Sequence, residues 1–298
     1  MLSGGLVAHL RRPVARSPLV TTAEQRVKHP VKEAKHRGRT GSGWYEWVAR
    51  IGLVAKGVSF GIVGALAIKL ALGDGGEATS REGALHALAQ ESFGKVVLIL
   101  LAVGFAAYAA WRFVEAIAAP GDEAKKWAKR GGSVGRGLIY AALAYSAVKI
   151  LLGDGGGDTQ NERAHKTAAE ILGWPAGTWL VALAGAILIG IGLWNAYRGV
   201  TTKFEKRWRA MGAAARTWGR WIGLAGHLAR GVVFTLIGAF VIRAAIQYDP
   251  EEAIGLDGAL QKLARADYGP YLLGLTAAGL IAYGAYCLVD ARYRDVSA

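Results

Sequence analysis

The sequence predicts an all-α integral membrane protein, with six transmembrane helices arranged as three tandem repeats of a two-helix hairpin. Of its 298 residues, 53% are hydrophobic, and the mean hydropathy is +0.26. Each apolar block approaches or exceeds the roughly 20 residues that cross about 30 Å of hydrocarbon as a helix, the form in which a lipid-exposed backbone satisfies its own hydrogen bonds. The blocks lie near residues 50–72, 95–117, 132–152, 178–197, 224–247 and 270–290.

The charge of the connecting segments alternates along the chain. Net charges of +7, +3 and +7 fall on residues 1–50, 112–136 and 198–230. Net charges of −2, −2 and −3 fall on residues 73–95, 153–170 and 248–269. Lys and Arg stay on the cytoplasmic side during insertion, so we predict a multi-pass plasma (inner) membrane protein with cytoplasmic N- and C-termini. This topology accounts for the net charge of +14 without a nucleic-acid partner.

Tryptophans flank most of the apolar blocks, which predicts an interfacial belt at the level of the lipid headgroups. They are Trp44, Trp47, Trp111, Trp127, Trp174, Trp179, Trp194, Trp208, Trp218 and Trp221. An aromatic ligand box is the alternative interpretation, and nothing in the spacing favours it.

The first span of every hairpin carries the same pattern. A Gly is followed after three residues by a basic residue and a second Gly, and after eleven more by another basic residue. The copies are Gly52, Lys56, Gly57, Lys69; Gly132, Arg136, Gly137, Lys149; and Gly226, Arg230, Gly231, Arg243. The pattern predicts a basic, disordered cytoplasmic tail (1–43), three hairpins (44–118, 124–200 and 218–295) and a cytoplasmic amphipathic linker helix (201–217).

The second spans repeat as well. The third copy runs from Asp257-Gly258-Ala259-Leu260 through Gly279, Tyr283 and Tyr286 to Asp290-Ala291-Arg292-Tyr293-Arg294, and the first copy matches it from Glu82 to Glu115. This copy resembles the repeat of bacterial membrane proteins called domain of unknown function 1206. The resemblance covers about residues 44–295. It implies a six-helix plasma-membrane protein and no particular activity.

Each outer loop contains apolar residues at helical spacing, which predicts a short amphipathic helix on the outer surface in every repeat. They are Leu85 and Leu88, Ala168 with Ile171 and Leu172, and Leu260 and Leu263. Because all hairpins enter the membrane the same way round, we also predict a pseudo-threefold arrangement about an axis along the membrane normal.

The repeated basic residues are the candidate functional site. Lys56, Arg136 and Arg230 lie a turn or more inside the cytoplasmic ends of their spans, and charges within a span are often functional. The adjacent glycines are expected to leave room for an anion or a phosphate headgroup, giving three equivalent sites near the inner leaflet. Lys69, Lys149 and Arg243, near the outer ends, are secondary candidates. Snorkelling to the interface is the alternative for both sets, and helix packing is the alternative for the glycines.

The rest of the sequence contains no pattern that is typical of a catalytic, metal or cofactor site. Cys287 is the only cysteine, the six histidines show no ligand spacing, and no carboxylate lies in the middle of a span. We therefore predict no catalytic, metal or cofactor site and no enzyme activity. An intramembrane enzyme would require His227 beside a carboxylate.

Two functions remain open. The first is a non-enzymatic plasma-membrane protein acting in envelope organisation, or by binding a protein partner or an anionic lipid of the surrounding bilayer. The second is an anion or small-solute channel or transporter along the pseudo-threefold axis, which requires a polar lumen.

Overall fold

The structure is a computed structural model that describes residues 43–73, 81–91, 93–117, 123–153, 160–209 and 211–295. Residues 1–42 of the predicted cytoplasmic tail lie outside this range. The described residues form nine α-helices. In chain order these are α1 (Gly43–Ala71), α2 (Arg81–Ala89), α3 (Gly94–Ile117), α4 (Glu123–Leu151), α5 (Gln160–Leu172), α6 (Gly177–Val200), α7 (Ala213–Gln247), α8 (Leu256–Ala264) and α9 (Gly269–Tyr293).

Six of these helices, α1, α3, α4, α6, α7 and α9, are long and apolar enough to cross a membrane, as predicted. Each repeat consists of a long helix, a short helix and a second long helix. The short helices α2, α5 and α8 occupy the three predicted outer connections. Their location on the membrane surface stays a prediction.

The long helices are neighbours in the spatial order α4, α3, α1, α9, α7, α6. The most extensive packing joins different repeats: α3 with α4, α6 with α7, and α9 with α1. The two long helices of the first and third hairpins also pack together, whereas the described parts of α4 and α6 do not. We call the second hairpin open because its two long helices do not pack against each other. The pseudo-threefold arrangement remains a prediction.

The glycines beside the repeated basic residues form the junctions between repeats. A Cβ atom on Gly57 would lie 2.8 Å from the carbonyl oxygen of Gly284, and one on Gly231 would lie 3.1 Å from that of Gly192. A Cβ atom on Gly137 would lie 2.8 Å from the ring of Phe113. The prediction that these glycines leave room for a ligand is therefore wrong. Neighbouring helices fill the space, which confirms the alternative of close packing through small residues.

A second set of close contacts packs the two long helices of the first hairpin, α1 and α3, against each other. A Cβ atom on Gly52 would lie 2.6 Å from Tyr108, and one on Gly104 would lie 2.3 Å from Ala55. The third hairpin repeats this arrangement. The pairs there are Gly226 with Tyr283 at 2.5 Å and Gly279 with Ala229 at 2.4 Å.

The second hairpin lacks the residues for this contact. Because α3, α6 and α9 each begin at a glycine, their positions can be matched. Ile187 stands at the position of Gly104 and Gly279. Ile191 stands at the position of Tyr108 and Tyr283. A β-branched side chain keeps two helix backbones apart where glycine lets them approach. A Cβ atom on Gly135, the counterpart of Ala55, accordingly meets nothing within 4 Å.

The predicted amphipathic helix over residues 201–217 is not present as one element. A short 3-10 helix, Lys203–Arg207, is followed by an extended Trp208 that pairs with Arg294, and α7 begins only at Ala213. The reason is that Phe204 and Trp208 are buried against α7 and α9 rather than facing lipid.

Eight of the ten tryptophans are exposed, as an interfacial belt requires. Trp111 and Trp208 are buried instead. The indole of Trp111 donates a hydrogen bond to the Tyr45 hydroxyl at 2.9 Å, and that of Trp208 donates to the Asp290 carboxylate at 3.2 Å. These two tryptophans hold the helix ends together, so the prediction that they belong to the belt is wrong.

Candidate functional site

Lys56 of α1 and Arg230 of α7 meet at the ring of Tyr283 on α9. The Lys56 Nζ atom lies 5.3 Å from the ring centroid, and the Arg230 Cζ atom lies 4.5 Å from it. Arg230 also donates a hydrogen bond from Nη1 to the Tyr283 hydroxyl at 2.6 Å. Two of the three predicted site residues, from the first and third repeats, are thereby brought together.

Aromatic side chains surround both cations. The Arg230 guanidinium lies 5.3 Å from the Phe60 ring and 5.2 Å from the Phe234 ring, and Lys56 Nζ lies 5.5 Å from the Tyr108 ring. Each distance is within the range of a cation–π interaction. Such contacts offset part of the cost of removing a cation from water, and they leave the positive charge in place.

No carboxylate of the described residues neutralises Lys56 or Arg230. The titratable side chains in the surroundings of both cations are Tyr108, Tyr140, Tyr283 and Cys287, none of which is a carboxylate. The Nε atom of Arg230 is buried and makes no hydrogen bond. A cation away from water is normally paired. Two half-buried cations without an acidic partner therefore form a site suited to an anion.

Tyr108 can add a hydrogen-bond donor to this site. Its hydroxyl accepts a hydrogen bond from Nη2 of Arg112 at 2.6 Å. A phenol that accepts one hydrogen bond still has its own proton to donate. Arg112 itself is paired with Glu115, whose carboxylate also accepts a hydrogen bond from Ser133 at 3.0 Å. The Arg112 charge is therefore neutralised, unlike that of Lys56 or Arg230.

Arg136 does not join the other two cations. Its side chain is exposed, and its Nη2 atom lies 3.3 Å from where a Cβ atom of Gly132 would be, one turn back along α4. The sequence predicted three equivalent sites, and this is wrong. The reason lies in the open second hairpin, which lacks a tyrosine at position 191 to hold the basic side chain inward.

The three secondary candidates are separate from this site. Lys69 is exposed and Lys149 is half-buried. Arg243 is exposed and forms an ion pair with Glu252 at 3.1 Å. The Arg243 side chain is 52% exposed and that of Glu252 is 18% exposed, and ion pairs near the surface contribute little to stability, typically about 0–1 kcal/mol.

Lys56 and Arg230 lie well inside their spans rather than at a span end. Each follows an exposed tryptophan, Trp47 or Trp221, by nine residues, which is about 13–14 Å along a helix. Half of a hydrocarbon core of about 30 Å is about 15 Å. Both charges therefore lie about half a hydrocarbon-core thickness beyond these exposed tryptophans.

Sequence reasoning missed the aromatic part of the site, although a signal was present. Each repeated basic residue is preceded by a tryptophan nine positions earlier and followed by an aromatic residue four positions later. The aromatic residues are Phe60, Tyr140 and Phe234. Two of these rings contact Arg230, and the Tyr140 ring lies 4.3 Å from that of Tyr108.

His227 is part of the packed core. It is buried, and its ring stacks on Phe204 with centroids 5.0 Å apart and meets Tyr286 edge-on at 4.8 Å. Its Nδ1 atom donates to the carbonyl oxygen of Gly223 at 2.8 Å. The carboxylate neighbour that an intramembrane enzyme would need is not among these contacts.

The chain is similar to a bacterial protein of undefined role. It is 30% identical over 263 residues to "Uncharacterized protein YxxB" of Bacillus subtilis (strain 168), covering 85% of this chain and 93% of that protein. No solved structure matches the chain.

The repeat found in the sequence corresponds to a family model that matches three times. The matches cover residues 51–119, 131–202 and 225–294, and each spans two long helices and the short helix between them. With its three repeats and six apolar helices, the chain belongs to the family described as Domain of Unknown Function (DUF1206).

Proposed function

We propose that this membrane protein binds an anion inside its helix bundle, with Lys56 and Arg230 as the binding residues. The observation that carries the proposal is the convergence of these two cations on Tyr283 without a described carboxylate partner. A single anion between them would interact with both charges in surroundings of low dielectric, where each interaction is stronger than in water.

We further propose that the protein is non-enzymatic and lies in the plasma membrane with both termini in the cytoplasm. The alternation of charge between its connecting segments supports this orientation. Arg136, exposed on the open hairpin, is assigned no direct contact with the bound anion.

The ligand chemistry has two possible sources, a small inorganic anion or the phosphate of a lipid headgroup. To distinguish them, thermal unfolding of the delipidated protein in detergent is followed with sodium phosphate or with a water-soluble short-chain phosphatidylglycerol, at constant ionic strength. An anion at one hundred times its dissociation constant is expected to stabilise the wild type by about 2.7 kcal/mol. Stabilisation by phosphatidylglycerol alone indicates a lipid site, and stabilisation by phosphate as well indicates that the headgroup chemistry suffices.

The variant Lys56→Gln/Arg230→Gln is expected to lose this stabilisation. It should also unfold at a higher temperature than the wild type when no anion is added, because two uncompensated charges are removed from the interior. If the residues served only to hold the fold, the variant would be less stable instead.

The matched control is Lys69→Gln/Arg243→Gln, which removes the same number of charges from the same two repeats. This control and Arg136→Gln should both retain the response of the wild type. An equal response in the Lys56→Gln/Arg230→Gln variant would contradict the proposal.

A further inference from the structure

The three short helices share a position that carries a titratable residue in every repeat. Twelve residues before the glycine that begins the following long helix stand Glu82 in α2, His165 in α5 and Asp257 in α8. Asp257 opens the Asp-Gly-Ala-Leu motif of the third repeat. The structure brings His165 and Asp257 into one neighbourhood, because α5 of the second repeat packs against α8 of the third.

Asn161 of α5 links these two side chains. Its Nδ2 atom lies 3.2 Å from Nε2 of His165, and its backbone N–H faces the Asp257 carboxylate. Its Oδ1 atom accepts a hydrogen bond at 3.1 Å from the backbone N–H of Gly255, the residue before α8. Each helix therefore satisfies a backbone N–H at the other's N-terminus, where no partner exists within the helix itself. A Cβ atom on Gly258 would lie 2.4 Å from Asn161 Oδ1, so the glycine of the motif permits this close approach.

The carboxylate of Asp257 is buried and incompletely paired. Asp257 is 4% exposed, and within the described part of the chain its Oδ1 atom has no hydrogen-bond partner. Burial raises the pKa of this carboxyl, against the opposing effect of the backbone N–H groups of Gly258 and Asn161 and of the nearby His165. A buried carboxylate that lacks a counter-charge is costly, and uptake of a proton removes that cost.

The other charged groups on the elements packed around α8 are paired or exposed. Glu252, in the turn before α8, forms ion pairs with Arg243 of α7 at 3.1 Å and with Lys262 of α8 at 3.2 Å. The first turn of α9 contains no charged residue. The exposed charged residues are Lys69 of α1 and Glu162, Arg163 and Lys166 of α5. His165 is the titratable side chain that faces Asp257 from α5.

We propose that His165 and Asp257 form a proton-binding site on the side of the membrane opposite the two termini, and that proton uptake there stabilises the junction between the second and third repeats. A proton on Asp257 removes the uncompensated charge, and a proton on His165 places a positive charge beside it. Because the folded protein binds the proton more tightly than the unfolded chain, its stability should increase as the pH falls. This inference does not depend on the anion site.

Thermal unfolding of the full-length protein in detergent tests the proton site. The wild type is expected to unfold at a temperature about 2–4 °C higher at about pH 5 than at about pH 8. Asp257→Asn keeps the size of the side chain and cannot take up the proton, so it should lose this difference and be the more stable protein at the higher pH. The matched control is Asp267→Asn, at an exposed aspartate between α8 and α9, which should keep the pH dependence of the wild type. His165→Gln should keep only part of it, and full retention would remove His165 from the site.

Equal pH dependence in the wild type, Asp257→Asn and Asp267→Asn would overturn the inference. An Asp257→Asn variant less stable than the wild type at the higher pH would also overturn it, because the ionised carboxylate would then be a stabilising group. NMR titration of wild-type protein with isotope-labelled aspartate carboxyl groups keeps the test independent of how the variants fold. A titration in which no aspartate takes up its proton above the ordinary value of about 3.9 would contradict the proposal directly.

Discussion

Replacing Asp290 by alanine is expected to lower the free energy of unfolding by about 3–5 kcal/mol, the range found when one partner of a buried ion pair is removed. Asp290 is 3% exposed and accepts a hydrogen bond from Arg294 at 2.9 Å and another from Trp208 at 3.2 Å. The alanine variant would leave the Arg294 guanidinium, whose side chain is 9% exposed, without its counter-charge.

The same change should loosen the segment that follows the second hairpin. Trp208 is tied to α9 by Asp290 and by the backbone bonds that join Arg209 to Tyr293 and Asp295 to Arg207. Limited proteolysis in this segment, together with chemical unfolding in detergent, measures both effects.

Two further variants show whether the lost stability comes from the unpaired charge of Arg294. Asp290→Asn/Arg294→Gln keeps hydrogen-bonding groups in place and removes both charges, so it should recover most of the lost stability. Glu252→Ala breaks the more exposed pairs with Arg243 and Lys262 and should change stability by less than about 1 kcal/mol. An Asp290→Ala variant as stable as Glu252→Ala would contradict the assigned role.

Gly57→Val is expected to destabilise the protein by about 3 kcal/mol or more, at or above the upper end for overpacking. The new Cβ atom would lie 2.8 Å from the carbonyl oxygen of Gly284, and a backbone atom cannot move aside as a flexible side chain does. Gly61→Val, one turn further along α1, is the control because its Cβ atom meets nothing within 4 Å. Unfolding titrations of the two variants give the comparison, and equal stabilities would show that α1 and α9 are not packed as described.

The fold was largely predictable because hydrophobic length and charge alternation act locally along the chain. The six apolar blocks correspond to six long helices, and the repeated glycines lie where helices of different repeats pack together. The linker was mispredicted because the pattern around Phe204 and Trp208 fits a lipid-facing surface as well as a buried one.

The site was only partly predictable. The repeat identified Lys56 and Arg230, and it also suggested that Arg136 would be equivalent. That equivalence depends on whether the second hairpin closes, which is decided by contacts between residues far apart in sequence. Ile187 and Ile191 are ordinary apolar residues in a span, and their effect is apparent only against the glycine and tyrosine of the other repeats.

The location of a bound anion tests the central claim most directly. Bromide can be exchanged into delipidated crystals of the protein and located by its anomalous scattering. A peak in contact with both Lys56 Nζ and the Arg230 guanidinium, beside Tyr283, is the result that the anion site requires. A map in which bromide lies only at exposed residues such as Arg136, Lys69 or Arg243, with none beside Tyr283, would contradict it.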